Sequence, residues 1–295
     1  MKVTVFGASG TVGRALLPEL AREHEVVAVS RRVNAESSER ERWVEADVND
    51  AQAVRRALDG SEVAYYLVHS LGSADFAARD RRAAATVAAE AERAGLLQLV
   101  YLGGLGDDAP DLSEHLRSRH ETGRALASGA TPLTTLRAAM VVGCGSAAFE
   151  TIVALVRRLP AMVTPRWVTT PTQPIALDDV VAYLAGVCGR EETFGQGYDV
   201  GGPEVMTYRA MIERVAALLG RRPLIVQVPV LTPRLSSLWL HLVTPVGASV
   251  ARPLIDGLRN ATVARDDAIR AIVPRPLTTF DAAARTALRQ SFDKH

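Results

Sequence analysis

Three glycines spaced three apart, Gly7, Gly10 and Gly13, lie between an apolar run and a helical one. Lys2 to Phe6 has the make-up of a short buried strand, and Val12, Ala15, Leu16 and Leu20 recur at helical spacing after the turn. A strand, a glycine-rich turn and a helix in that order suit a dinucleotide pyrophosphate. Gly7 permits the tight turn, Gly10 lets the backbone approach the phosphates, and Gly13 lets the helix pack close to the strand. Backbone N–H groups near Ser9, Thr11 and Val12 then face the anion, where the helix field favours negative charge.

The next strand, His24 to Ser30, ends without the acidic residue that binds a ribose 2′-hydroxyl in NAD-specific folds. Ser30-Arg31-Arg32 stands there instead. A guanidinium pairs with a 2′-phosphate that a carboxylate would repel, so the reading is NADP(H) over NAD. The plainer alternative is two solvated arginines. Trp43 to Val48 reads as a third strand, with Asp47 and the Val48 backbone suited to an adenine contact; Asn49 or Asp50 would cap the helix through Leu58. Val63 to Val68 is a fourth strand that delivers Val68 and His69 into the polar loop His69–Gly72. Gln98 to Leu102 is a fifth, running into Gly103 and Gly104. Both loops fall at strand carboxyl ends, where open α/β sheets bind ligands.

Stepping outward, Phe76–Leu97 and Leu112–Ser128 read as helices and Leu133–Val142 as a sixth strand. Strands alternating with helices at this spacing mean an α/β fold with a doubly wound parallel sheet of the Rossmann kind. Residues 1–146 and roughly 170–202 would form that core. Roughly 147–169 and 203–295 would form a smaller C-terminal α/β lobe. Within them, Asp178 or Asp179 would cap a helix running to Cys188, Thr207 would cap the helix 208–219, and Ile225 to Val228 is a strand. The apolar stretch from Thr232 to Asn260 reads as lobe core, or as an apolar substrate mouth or membrane-surface contact.

Composition narrows the function classes. Lys and Arg total 34 against 33 Asp and Glu, so no global field favours nucleic acid or an anionic membrane. The two cysteines, Cys144 and Cys188, are too few for a disulfide framework. The first strand takes the place of a leader, and no 18-residue run is free of charge and proline breaks. The expectation is a cytoplasmic protein with no membrane span, no nucleic-acid partner, a small-molecule substrate or effector, and no metal site.

The motifs together resemble the short-chain dehydrogenase/reductase superfamily in its extended and atypical branch. Gly7-x-x-Gly10-x-x-Gly13, the Asp47 strand end, Gly103-Gly104 and the Pro174…Asp179-Val180 helix start fall in that family's order. Tyr65-Tyr66-Leu67-Val68-His69-Ser70, Tyr101 to Gly106 and Leu116 to Glu121 look like a bacterial NmrA-like subgroup related to a nucleotide-binding accessory subunit of respiratory complex I. The resemblance implies the fold and an NAD(P)H cofactor, and says little of substrate.

One departure stands out. Reductases of this family use a tyrosine aided by a lysine four residues later, plus a hydroxyl at the end of strand five. Lys2 and Lys294 are the only lysines here, and none of the six tyrosines is followed by lysine at that spacing. Gly103 or Gly104 occupies the hydroxyl position, and the corresponding helix offers Leu116…His120 or, one residue out of register, His115…Arg119. His120 and His69 are the candidate catalytic residues, because histidine titrates near neutrality. Arg137 would bind an acidic substrate or pair with an acid. The expected activity is an NADPH-dependent reductase of a small apolar carbonyl, enone or quinone; the alternative is a non-catalytic redox sensor or structural subunit.

Overall fold

A computed structural model describes residues 1–33, 36–70, 75–106, 112–164, 166–227 and 257–292. The amino-terminal part alternates β1 (Lys2–Phe6), α1 (Thr11–Leu20), β2 (Glu25–Ser30), β3 (Glu41–Glu45), α2 (Ala51–Leu58), β4 (Val63–Tyr66), α3 (Phe76–Ala94), β5 (Gln98–Gly104), α4 (Glu114–Leu126) and β6 (Leu133–Ala138). With β11 (Gly197–Val200) these strands make one sheet in the order β11-β6-β5-β4-β1-β2-β3. Every neighbouring pair is parallel. The chain winds outward in both directions from β1, so the crevice between the carboxyl ends of β1 and β4 is the topological switch point.

A parallel sheet covered on both faces needs strands that are apolar on both sides. Val3, Val5 and Leu16 belong to one core and Phe6, Val27 and Tyr66 to the other, which places residues 3, 5 and 6 of one strand on opposite faces. α6 (Leu177–Gly186) packs with α1 on the first face, and α2, α3 and α4 cover the second. A third core, around Phe149, Val156, Met211, Val215 and Ala284, joins α5 (Ala147–Arg158), α7 (Tyr208–Leu218) and a last helix, Phe280–Phe292.

The structure departs from the sequence reading at several ends. β6 leaves the sheet after Ala138 because its partner β5 ends at Gly104; Leu105 N–H still takes the Ala138 carbonyl at 2.8 Å. Val141 and Val142 form a separate β7, paired in parallel with β10 (Ile175–Ala176). α6 begins after Ala176 with no side-chain cap. Asp179 is instead fully buried, accepts the Thr278 N–H at 2.8 Å and pairs with Arg275 at 2.9 Å. A tertiary partner outcompetes a cap when the carboxylate faces inward. Thr207 does cap α7, accepting the Ala210 N–H at 3.1 Å, and Asp50 caps α2. In the lobe β8 (Ala161–Thr164) pairs in parallel with β13 (Leu224–Gln227). Most of the Thr232–Asn260 stretch lies outside the described residues.

Gly13 marks the tight seat of α1 on the turn. A Cβ there would sit 2.4 Å from the Gly7 carbonyl oxygen and 2.8 Å from the Ala8 Cα. Both are backbone atoms, so the helix must move. Gly13→Ala is expected to cost about 1–3 kcal/mol in a denaturant titration despite alanine's better helix propensity. Gly197→Ala, at a position with no atom within 4 Å, is expected to stay within about 0.5 kcal/mol of wild type.

Candidate cofactor and active site

The amino-terminal turn is built by backbone bonds. Gly7 and Ala8 N–H both reach the Val29 carbonyl, at 3.2 and 3.1 Å, and Gly10 N–H reaches Gly7 O at 3.0 Å. Gly7 has φ +84°, and a Cβ on it would lie 2.9 Å from the Leu67 carbonyl carbon. Two constraints therefore select glycine at residue 7. The first bond into α1 runs from Arg14 N–H to Gly10 O at 2.9 Å, so the helix itself leaves the N–H groups of Thr11, Val12 and Gly13 unused. Thr11 Oγ1 donates to Gly145 O at 2.7 Å and ties the Gly143–Ser146 loop to the turn. Sequence reading missed that strap.

Beside the turn lies an open cavity of about 890 Å³, lined by Ser9, Arg14, Leu17 and Pro18, by Ser30, Arg31 and Arg32, and by Glu41 and Trp43. Four of the expected cofactor residues meet there: Ser9, Ser30, Arg31 and Arg32. Ser30 Oγ donates to Ser9 Oγ at 2.9 Å, joining the end of β2 to the turn. Asp47 and Val48 lie just past β3, which ends earlier than the sequence implied. Asp47 Oδ1 accepts the Asn49 N–H at 2.9 Å and its side-chain amide at 2.8 Å. The backbone bond, outweighing the cost of partial burial, holds the Asp47 carboxyl below the usual carboxylate range. The arrangement fits a dinucleotide: a turn that glycines at residues 7 and 13 allow to close, N–H groups that the start of α1 leaves unused, and a cationic groove next to them.

At the carboxyl ends of β4 and β5 the shifted register of α4 comes into view. His115 and Arg119, one helical turn apart, share a face of α4 and lie close enough to His69 for their charges to interact. The Arg119 guanidinium donates to the Leu102 carbonyl and lies 5.0 Å from the centroid of the Tyr101 ring. His69 has solvent-exposed surface within a recess of protein. Desolvation in that recess, then the Arg119 charge, lower its pKa to about 4. The same two causes, with His69 added, bring His115 to about 3. The expectation that His69 titrates near neutrality therefore gives way; both imidazoles are neutral at pH 7. His120 follows Arg119 on α4 and is partly buried.

The tyrosines nearby are engaged in the frame. Tyr65 OH donates to Leu184 O at 2.8 Å and Tyr101 OH to Arg119 O at 2.9 Å. Tyr66 is fully buried, and desolvation raises its phenol further out of reach. Asp80, 3% exposed, accepts the Ser70 N–H at 3.2 Å and so anchors the residue after His69; burial pushes its carboxyl up. Arg137 pairs with Asp199 across β6 and β11 at 2.7 Å, which is the acid-pairing alternative. Val68 is partly buried against the second core, and Gly103 lies within β5. Among the described residues no group of three metal-ligating side chains comes together, and no helix is long and apolar enough to cross a membrane.

Known proteins resemble this chain. Residues 7–139 match an NAD(P)H-binding family. The chain is 22% identical over 240 residues to the Arabidopsis thaliana mitochondrial NADH dehydrogenase [ubiquinone] 1 alpha subcomplex subunit 9, covering 77% of this chain and 60% of that one. It is 28% identical over 225 residues to the Streptomyces griseus (4-alkanoyl-5-oxo-2,5-dihydrofuran-3-yl)methyl phosphate reductase, covering 74% of each. The Escherichia coli NADPH-dependent quinone oxidoreductase QOR2, solved with NADPH, superposes with a TM-score of 0.77 at 19% identity, over 99% of this chain and all of that one. The chain thus resembles NAD(P)H-binding proteins over residues 7–139 and shares a Rossmann-type fold with them.

Proposed function

We propose that the protein is an NADP(H)-dependent reductase of a small apolar carbonyl, enone or quinone that works without the tyrosine–lysine pair. The observation that carries the cofactor half is the groove at the end of β2, where Ser30, Arg31 and Arg32 stand in place of a carboxylate. The turn Gly7–Gly13 would hold the pyrophosphate on backbone N–H groups, with Asp47 and Val48 toward the adenine and Val68, His69 and Gly103 toward the nicotinamide. When bound, NADPH supplies a hydride; the chain need only orient the acceptor and deliver one proton. A neutral His69 donates a hydrogen bond to the acceptor oxygen but is not an imidazolium acid at pH 7. With His69 and His115 both neutral, His120 is the histidine left for proton delivery in this reading.

Two of the named relatives support a carbonyl-conjugated acceptor: one is a quinone oxidoreductase, and the other is a reductase of a 4-alkanoyl-5-oxo-dihydrofuranyl methyl phosphate. A second reading is a non-catalytic NADP(H)-holding subunit or redox sensor. The likeness to the NADH dehydrogenase subunit and the missing lysine favour it.

Two measurements test these statements. In calorimetric titrations the wild type is expected to bind NADPH more tightly than NADH, and Arg31→Ala/Arg32→Ala to lose about tenfold to a hundredfold toward NADPH, the equivalent of about 1.5–3 kcal/mol. Equal or tighter NADH binding by the wild type would refute the NADP(H) assignment. In single-turnover oxidation of bound NADPH by a panel of quinones, enones and ketones, His120→Gln is expected to slow the reaction by about 10²–10⁴ with cofactor affinity unchanged. Turnover that survives the substitution removes His120 from the role. Oxidation by no member of the panel favours the second reading.

A further inference from the structure

The residue after the last glycine of the turn is Arg14, on the exposed side of α1. That helix turns Gly13, Leu16, Leu17 and Leu20 inward, and nothing in its packing against the sheet calls for a cation at residue 14. Yet Arg14 lines the same cavity as Arg31 and Arg32, with Leu17 and Pro18 beside it. The groove thus has a cationic wall from α1 facing a cationic wall from the end of β2. Among the described residues none of the three guanidiniums has an ion pair. The one carboxylate in the lining, Glu41, accepts the Trp43 indole N–H at 2.7 Å.

Three like charges around one open cavity repel one another, and a multiply charged anion between them converts that repulsion into charge-assisted bonds. The pyrophosphate is not that anion. It belongs to the backbone N–H groups at the start of α1, whereas this groove reaches past Ser9 and Ser30 toward β3. A phosphate monoester on the ribose, close to a dianion at neutral pH, matches three forked donors approaching from two sides.

We propose that Arg14 is a third ligand of the ribose 2′-phosphate, and that this α1 residue sets the preference for NADPH over NADH together with Arg31 and Arg32. The proposal rests on the NADP(H) reading above. NADH carries a hydroxyl where the phosphate stands, so Arg14 contributes to one cofactor and not to the other. Ser30 and Ser9, already bonded to each other, hold the two walls in register.

The test is Arg14→Met, which keeps an unbranched side chain at an exposed position and removes the charge. NADPH and NADH affinities are measured by calorimetry for wild type and variant. The ³¹P resonance of the bound 2′-phosphate is followed against pH in both. The expected result is an NADPH affinity lower by about tenfold with NADH affinity unchanged. The second ionisation of the bound phosphate, held by the guanidiniums below its free value of about 6, should move back up in the variant. An unchanged NADPH/NADH ratio with an unchanged ³¹P titration overturns the role of Arg14 and leaves the NADP(H) reading standing. Equal loss of both cofactors also overturns it, since Arg14 would then act on the fold. A wild type with no preference for NADPH removes the reading beneath the proposal.

Discussion

Helix α1 can begin where it does only because residue 13 has no side chain. Its Cα lies so close to the Gly7 carbonyl that even a methyl group would overlap it, and the rest of the site inherits that contact. With α1 seated on the end of β1, its first N–H groups open at the switch point between β1 and β4, the one place in this sheet where strands diverge. Gly7 and Ala8 then bond to Val29, which sets the end of β2 against the turn and brings Ser30 onto Ser9. The cationic groove is a consequence of the same seating, since its two walls are α1 and the end of β2.

The substrate end is governed by a different fact, the lack of any lysine between residues 2 and 294. On α4, where the resemblance to the short-chain reductases leads one to expect a tyrosine and a lysine, His115 and Arg119 share a face. A guanidinium remains charged at every accessible pH, so it cannot exchange protons. Its bonds to the Leu102 carbonyl and its seat over Tyr101 fix it as a permanent positive field. Desolvation, with that field added to it, keeps His69 and His115 unprotonated, which makes them hydrogen-bond donors instead of acids. In the proposed reductase, such a site would polarise the acceptor and take its proton from elsewhere.

Much of this was legible in the chain. The glycine turn, the alternation of strands and helices, and the missing acid after β2 each follow from residue type and spacing, because a buried parallel sheet imposes long apolar runs. Ends and partners were harder. The split after Ala138 depends on where β5 stops, and the inward turn of Asp179 depends on Thr278 and Arg275, about a hundred residues away. Arg14 has no motif to mark it, and its place in the groove beside β2 follows from the packing of α1 on the sheet. Which histidine of α4 stands beside Arg119 and His69 needed the rotation of the helix, which few apolar residues leave open.

The central claim is that the amino-terminal turn holds a dinucleotide pyrophosphate, and Gly10 tests it most directly. Its φ of −73° suits any residue, and within 4 Å a Cβ would meet the Gly7 carbonyl oxygen, at 3.3 Å, a contact that a shift of a few tenths of an ångström relieves. That side chain would stand where the phosphates approach. The decisive measurement is a calorimetric titration of Gly10→Val with NADPH, alongside its far-ultraviolet circular dichroism. The account predicts a native spectrum and no detectable binding, where the wild type binds. A native spectrum with wild-type affinity would contradict it.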